Sequence, residues 1–305
     1  MKIHSTLAGG MLALSAGFWN PAAAEDVAVS TATGEVSVPA APKTVAVFDV
    51  AAIDTLAALD VPIAGVPSPH YVPYLDGAVE DAEVVGTLFE PDFEALVNMN
   101  PDLIVIGGRS SEQGEALEKI APVVDMTVWG DNHIEQSLER LNAYGKLMGR
   151  EDKAAEITEE FNAKLDLARA AVEGRGNALI VLTNGPKVSA YGAGSRFGWI
   201  HSALGLPEAV EAVDVQTHGE AISFEFIAEA DPDWLIVVDR GAAIGAEGES
   251  ARETLDNALV TGTRAWQNDQ VIFLTASNLY IAGGGIQSMT ITMDEIINAF
   301  DKSSS

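Results

Sequence analysis

Short apolar runs alternate with amphipathic stretches through the first half of the chain. Runs typical of buried strands lie at 44–48, 63–66, 103–106 and 123–128, and stretches with helical periodicity lie between them at 51–59, 92–99 and 112–120. Strands that alternate with helices in this way predict βαβ units and a mainly parallel sheet. Ahead of them, the alternating segment 27–38 predicts an edge hairpin that turns at Thr33-Gly34.

The pattern changes at 133–172, where helix-forming residues are interrupted only near Gly149. Two consecutive helices are predicted here, and the second, over 151–172, is long and stops at Gly174. Strand and helix patterns then resume at 178–182. We therefore predict an α/β protein with two Rossmann-like lobes, each with a mainly parallel sheet, joined by a long, stiff interlobe helix. The predicted bounds are 25–150 for the N-terminal lobe, 151–174 for the interlobe helix and 175–305 for the C-terminal lobe.

An internal repeat relates the two halves. The segments 94–109 and 225–240 share a Glu, a Pro-Asp pair, an apolar run and an Arg, and these positions are offset by 131 residues. Because open α/β sheets bind ligands beyond the carboxyl ends of their strands, we predict Arg109 and Arg240 on opposite walls of one cleft. Chance similarity between two generic helix-turn-strand units is the alternative.

The first 24 residues have the pattern of a secretory signal peptide. Lys2 precedes an uncharged apolar run at 6–19, and Ala22-Ala23-Ala24 provides a cleavage signal. The run is shorter than the roughly 20 residues that a membrane span needs. Since no cysteine is available for lipidation, we expect cleavage and retention in the periplasm.

Composition narrows the possible functions. With 45 acidic and 17 basic residues the chain carries a formal charge of −28, so neither nucleic acid nor an anionic membrane surface is an expected partner. The absence of cysteine excludes disulfides, thiolate metal sites, iron–sulfur clusters and thiol catalysis. The glycines at 192, 194 and 198 match a dinucleotide fingerprint only loosely. An exported nucleotide-using enzyme is therefore kept as the alternative from another class.

Positive charge is scarce, which makes its placement informative. Arg196 lies in a glycine-rich turn between a predicted strand and a predicted helix, a suitable place for an anion. Together with Arg109 and Arg240 it would bind a polyanionic ligand. A local cap or salt bridge is the alternative for Arg196.

Two residues of the second half could ligate a metal. His218 lies in a polar loop, and Tyr280 is predicted to lie in a loop between a strand and Gly283-Gly284-Gly285. A phenolate oxygen suits a ferric ion, and an imidazole is an acceptable partner. One alternative is that His218 and Tyr280 are ordinary loop side chains. Another is that the protein has a three-histidine site for zinc or manganese.

Glu94 and Glu225 occupy equivalent positions on two predicted helices. Such a pair could dock on arginines of a two-fold-symmetric partner. Simple solvation is the alternative.

These features resemble the periplasmic ferric-siderophore-binding proteins of ABC importers, in the class III group with a helix between lobes. The resemblance covers nearly all of the chain after residue 24, and its most specific segments are Val47-Phe48-Asp49, Gly86-Thr87-Leu88-Phe89-Glu90-Pro91, Asn100-Pro101-Asp102-Leu103-Ile104, Gly192-Ala193-Gly194-Ser195-Arg196-Phe197-Gly198, Thr217-His218-Gly219 and Asp231-Pro232-Asp233-Trp234. It is most similar to the branch for catecholate siderophores, of the enterochelin and anguibactin type.

That resemblance implies roles for single residues. In the catecholate branch three arginines hold the ligand oxygens, a His and a Tyr complete the coordination of iron by a tetradentate siderophore, and two glutamates contact the permease. The matching positions here are Arg109, Arg196 and Arg240, then His218 and Tyr280, then Glu94 and Glu225.

The resemblance also implies a function without turnover. The protein would be a monomer with no intrinsic cofactor, and ferric iron would be bound as a siderophore complex, with catecholates preferred. It would deliver that complex to an ABC permease in the inner membrane. A haem, cobalamin or divalent-metal carrier of the same fold is the alternative within the binding class.

Overall fold

The computed structural model describes residues 26–130, 132–211, 213 and 219–303. The predicted signal peptide and His218 lie outside these described residues. No helix within the described part of the chain is long and apolar enough to span a membrane.

The first lobe contains a five-stranded sheet whose neighbouring strands are all parallel. Its elements are β3 (Val45–Val47), α1 (Val50–Ala58), β4 (Gly65–Val66), β5 (Glu83–Val84), α2 (Phe93–Met99), β6 (Leu103–Ile106), α3 (Gly114–Leu117) and β7 (Val123–Asp125), with 3₁₀ turns at Pro73–Ala78 and Gly108–Gln113. The strand order is β5-β4-β3-β6-β7, so the chain winds outward in both directions from β3 and β6. The prediction of one helix over 112–120 is wrong in extent, because this segment forms the end of a 3₁₀ turn followed by the short helix α3.

Two helices, α4 (His133–Met148) and α5 (Glu151–Val172), follow the first lobe. Gly149 ends α4 in a left-handed conformation, with φ of 63°. Phe161, Leu165 and Ala168 lie on one buried stripe of α5, while most other positions of that helix are at least partly exposed. The predicted pair of helices, with a long second member, is confirmed.

The second lobe also contains a five-stranded sheet. Its elements are β8 (Ala178–Asn184), β9 (Lys187–Tyr191), α6 (Trp199–Ser202), β10 (Glu220–Ile222), α7 (Phe224–Ala230), β11 (Trp234–Asp239), α8 (Arg240–Ala243), α9 (Ala251–Leu255), α10 (Arg264–Gln267), β12 (Val271–Phe273), α11 (Ala276–Tyr280) and α12 (Ile286–Lys302). The order β10-β9-β8-β11-β12 repeats that of the first lobe. Only β9 runs antiparallel to its neighbours, because the chain turns back directly at Gly185, whose φ is 56°.

The N-terminal hairpin does not join either lobe sheet. Strands β1 (Asp26–Thr31) and β2 (Gly34–Pro39) pair only with each other among the described residues, so the predicted edge position is wrong. The hairpin packs on α4 instead, where Val29 and Val38 are buried. Its one apolar face is thus covered by a helix, and Lys146 of α4 donates to the Ala28 carbonyl at 2.6 Å.

The repeat found in the sequence is present in the structure. Both α2 and α7 end at a left-handed residue, Asn100 and Asp231, with φ of 50° and 38°. The Asp102 carboxylate then accepts two backbone N–H groups just before β3, at 2.9 Å each. Asp233 accepts a backbone N–H just before β8, at 3.0 Å. In each lobe the Pro-Asp unit therefore ties one inner strand to the other.

One core crosses the boundary between the lobes. The largest cluster of buried apolar side chains includes Val105 of β6, Phe161 of α5, Ile236 of β11 and Met289 of α12. Alternate residues of β11, such as Leu235, face a second cluster that belongs to the second lobe. The last helix, α12, packs on both α5 and α1 and so returns to the first lobe.

Candidate functional site

A cavity of about 590 Å³ is lined by residues of both lobes. Its first-lobe wall comes from the segments that follow β3, β5, β6 and β7. Its second-lobe wall comes from α8, the turn before α6, and the end of α11 with the residues after it. The strand order reverses between β3 and β6 and again between β8 and β11, which is where open α/β sheets bind ligands. A larger depression near the end of α5, of about 940 Å³, is lined by charges of both signs.

Arg109 enters the cavity from the turn after β6. Gly108 permits this turn, since its φ of 51° is left-handed. The Arg109 guanidinium donates to the carbonyls of Tyr280 at 2.7 Å and Ile281 at 3.4 Å. A first-lobe cation is thereby held against a segment of the second lobe.

Arg196 reaches the same carbonyl from the second lobe. It donates to the Tyr280 oxygen at 2.9 Å. Its turn is tight, because a Cβ on Gly198 would lie 1.9 Å from the Ala193 carbonyl oxygen. Burial lowers the pKa of the Arg196 guanidinium, and the neighbouring charge of Arg109 lowers it further. A largely buried cation beside a second cation favours the arrival of an anion.

Arg240 begins α8 directly after β11. It donates from Nε to the Tyr280 phenol oxygen at 3.1 Å and from a terminal nitrogen to Asn184 at 3.3 Å. The preceding Asp239 fixes this turn, since its carboxylate accepts the backbone N–H groups of Ala242 at 3.1 Å and Ala251 at 2.8 Å.

Tyr280 lies at the centre of the three arginines. Its ring centroid is 5.4, 4.6 and 5.8 Å from the guanidinium carbons of Arg109, Arg196 and Arg240. Such spacing allows cation–π attraction as well as hydrogen bonding. The prediction of a loop position for Tyr280 is wrong, because it is the last residue of the short helix α11.

Sequence reasoning missed Asp49 as a site residue, although it quoted the residue within a motif. Asp49 lines the cavity and caps α1 by accepting the Ala51 N–H at 3.3 Å. Burial raises the pKa of Asp49 to about 6, although the Ala51 hydrogen bond and the Arg109 charge oppose that rise. The sequence signal that could have identified Asp49 as a site residue was its position directly after the first strand of the lobe sheet.

Two exposed aromatic side chains also line the cavity. Phe89 is 59% and Trp129 46% exposed. Large apolar surfaces that remain in contact with water beside a cavity are typical of ligand contacts. The sequence analysis did not select either as a site residue.

The glycine-rich turn at 192–198 is not shaped as a nucleotide site. Its Ala193 N–H is taken by the Glu208 carboxylate at 2.8 Å. The Glu208 carboxylate therefore already accepts from an N–H group that a phosphate would need. In addition, the helix that follows has only four residues.

The other residues that the sequence predicted for the site do not lie beside Tyr280 and its three arginines in the described structure. Glu94 and Glu225 are exposed on α2 and α7, outside the cavity lining. His218 is outside the described residues, so the structure does not place it. Within the described ranges, no three His, Asp or Glu side chains are grouped so that they could hold a metal ion.

Residues 45–277 match the family model described as periplasmic binding protein. The chain belongs to this family, whose members are extracytoplasmic substrate-binding proteins. The prediction of two α/β lobes of the class III type is therefore confirmed by both the fold and the family.

Individual relatives are similar along most of their length. The petrobactin-binding protein YclQ of Bacillus subtilis is 36% identical over 87% of this chain and 84% of its own, and its crystal structure superposes with a TM-score of 0.86. The ferric-anguibactin-binding protein FatB of Vibrio anguillarum is 31% identical over 88% of this chain and 85% of its own. The siderophore-binding protein BauB, solved with ferric iron and two molecules of acinetobactin, superposes with a TM-score of 0.82 at 32% identity, over 90% of this chain and 99% of its own.

Proposed function

We propose that this protein is the substrate-binding component of an ABC iron importer, and that its interlobe cavity binds a ferric siderophore, with catecholates preferred. One observation carries the proposal: three guanidinium groups from both lobes converge on one cavity in a chain whose formal charge is −28. The relatives YclQ, FatB and BauB support it, because their names describe binding of petrobactin, ferric anguibactin and ferric acinetobactin.

The charge of the ligand explains the arginines. A ferric catecholate complex carries net negative charge on oxygens, and guanidinium groups supply permanent charge with donors in a fixed fork. The hydrogen bonds described above use one or two of the five N–H donors of each guanidinium. The other donors can meet ligand oxygens, and the aromatic rim of Phe89 and Trp129 can cover the apolar faces of catechol rings.

Tyr280 and His218 would complete the coordination of iron. A tetradentate siderophore leaves two of six octahedral positions of a ferric ion open. Tyr280 lines the cavity, and its phenol oxygen accepts a hydrogen bond from Arg240, which supports a role for that oxygen as an iron ligand. His218 enters the proposal through the sequence resemblance alone.

Delivery would use the outer faces of the lobes. Glu94 and Glu225 are exposed and occupy equivalent places in the repeat, one per lobe. A permease with two-fold-related arginines would contact both glutamates at once. In this scheme the protein acts as a monomer in the periplasm, performs no turnover and holds no cofactor of its own.

The test is a titration of the protein, purified without residues 1–24, with ferric complexes of catecholate siderophores. Trp129 lines the cavity, so tryptophan fluorescence should fall saturably with a ferric catecholate and much less with the iron-free siderophore. A haem carrier would instead develop a Soret band, and a divalent-metal carrier would bind zinc without any siderophore. No saturable signal with any ferric siderophore would contradict the proposed function.

A further inference from the structure

Residues 280–288, named here the crosspiece, run from the last residue of α11 in the second lobe to the first turn of α12, and both ends are hydrogen-bonded to the first lobe. At one end, Arg109 donates to the Tyr280 carbonyl at 2.7 Å. At the other end, the carboxylate of Asp54 in α1 accepts two backbone N–H groups of the first turn of α12, at 2.8 and 3.0 Å. The crosspiece is therefore a second link between the lobes, besides α5.

Asp54 provides the N-terminal cap that α12 lacks in its own sequence. The residue at the N-cap position, Gly285, has no side chain to accept a hydrogen bond. Asp54 fills that place from the first lobe, and a Cβ on Gly285 would lie 2.7 Å from the Asp54 carboxyl carbon. The neighbouring Thr55 hydroxyl accepts the Ile286 N–H at 3.3 Å. A carboxylate at this position also interacts favourably with the helix dipole.

The Asp54 carboxylate is buried, and both of its oxygens accept hydrogen bonds. Besides the two backbone groups, the hydroxyl of Tyr74 donates to it, and the Gln287 side chain donates to the Asp54 carbonyl at 2.7 Å. Burial raises the pKa of Asp54 to about 7, although the hydrogen bonds from Tyr74 and from the backbone of Gln287 and Ser288 lower it. A buried acid with this many partners fixes geometry because each partner would be costly to leave unpaired.

The path between the two ends consists of two buried residues, Ile281 and Ala282, followed by three glycines. Gly283, Gly284 and Gly285 have no side chains that could pack and fix the chain by themselves. Gly284 is left-handed, with φ of 93°, and lies against Val128 of the first lobe, where a Cβ would approach to 3.0 Å. Tyr280 is thus joined to the first turn of α12 by two buried residues and three glycines, and the hydrogen bonds at the two ends hold this segment against the first lobe.

We propose that Asp54 is a positioning residue for the ligand site. By capping α12 from the first lobe, it holds the crosspiece and with it the Tyr280 carbonyl that orients both Arg109 and Arg196. Asp54 lies outside the cavity lining, so it acts through these residues and does not touch the ligand. The ligand-binding part of this inference rests on the proposed function.

The test compares Asp54→Ala with Asp102→Ala as the matched control. Both substitutions remove a carboxylate that accepts two backbone N–H groups, but Asp102 ties only backbone of the first lobe. Hydrogen exchange of the peptide that spans 280–288 is measured without ligand at pH 8, above the pKa of about 7 of Asp54. We expect exchange about tenfold faster in Asp54→Ala and unchanged in Asp102→Ala, because only the former frees the crosspiece.

The same variants are then titrated with a ferric catecholate. Asp54→Ala should weaken binding about tenfold and shift the charge-transfer absorption of the bound complex, whereas Asp102→Ala should only lower the melting temperature. Asp54→Asn should be intermediate, because its amide oxygen retains one of the two backbone bonds. It also provides the comparison if Asp54→Ala does not fold.

Equal exchange rates, affinities and spectra in the Asp54 and Asp102 variants would show that Asp54 only stabilises the fold, and would overturn the inference. If the unaltered protein binds no ferric siderophore, the proposed function fails by itself. The exchange rates of 280–288 then still decide whether Asp54 holds the crosspiece.

Discussion

The two lobes share one plan but contribute differently to the cavity. Each has the same strand order and places an arginine just after an inner strand, Arg109 after β6 and Arg240 after β11. Arg109 reaches across the lobe boundary to main-chain carbonyls, whereas Arg240 binds the Tyr280 phenol and Asn184 within its own lobe. The repeat brings equivalent side chains to one place and gives them different partners.

The difference has a topological origin. In the first lobe the chain leaves β3 for α1, whereas in the second lobe β8 turns directly into the antiparallel β9. The turn after β9 carries Arg196, for which the first lobe has no counterpart in the cavity lining. The first lobe instead supplies Asp49, the one carboxylate that lines the cavity among the described residues. Elements that distinguish the lobes thus give the site its asymmetry.

The largest expected effect on ligand affinity comes from removing the cavity arginines, those of the second lobe in one variant and that of the first lobe in another. The double substitution Arg196→Met with Arg240→Met should weaken binding of a ferric catecholate about a thousandfold, and Arg109→Met about thirtyfold, because each charged hydrogen bond contributes about 1.5–3 kcal/mol. Calorimetric titration measures both. Lys187→Met is the control, since it removes one charge from an exposed position of the second lobe and should leave the affinity unchanged. Equal losses from the control and the arginine variants would mean that net charge alone drives binding.

A smaller effect is expected from the ring at the centre of the arginines. Tyr280→Phe should weaken binding about tenfold, because it removes the oxygen that Arg240 contacts and that would ligate iron. The charge-transfer absorption of the bound complex should shift, and shift further when His218→Ala is added. An unchanged spectrum in the double variant would contradict direct ligation by either residue.

The smallest expected effect concerns the acid of the first lobe. Because the pKa of Asp49 is raised to about 6 and an anionic ligand would raise it further, binding should take up protons near pH 6.5. Affinity should therefore increase as the pH falls from 8 to 5. The total increase should be about tenfold for each unit by which the bound ligand raises the pKa of Asp49.

Calorimetry in two buffers of different ionisation enthalpy measures the protons taken up. Asp49→Asn should take up fewer protons and bind more tightly than the unaltered protein at pH 8, since a negative charge is removed from the cavity. If both proteins take up the same number of protons on binding, a group other than Asp49 must be responsible for the pH dependence of affinity.

Much of the architecture could be predicted because it is encoded locally. The alternation of apolar runs and amphipathic stretches predicted most of the strands and helices of the first lobe and the return to an α/β pattern in the second, and the repeat predicted that Arg109 and Arg240 would face one cleft. Errors occurred where local pattern is ambiguous: the hairpin at 26–39 packs on α4, and Tyr280 ends a short helix.

By itself, the sequence determined the two-lobed α/β plan, the helices between the lobes and the pair of equivalent arginines, because periodicity and a repeated unit act over short stretches of chain. Only the tertiary structure decided that Tyr280 lies among three guanidinium groups, that Asp49 and Trp129 join the cavity, and that Asp54 caps α12. These contacts join residues far apart in the chain, and their proximity depends on how whole lobes pack, which no local pattern contains.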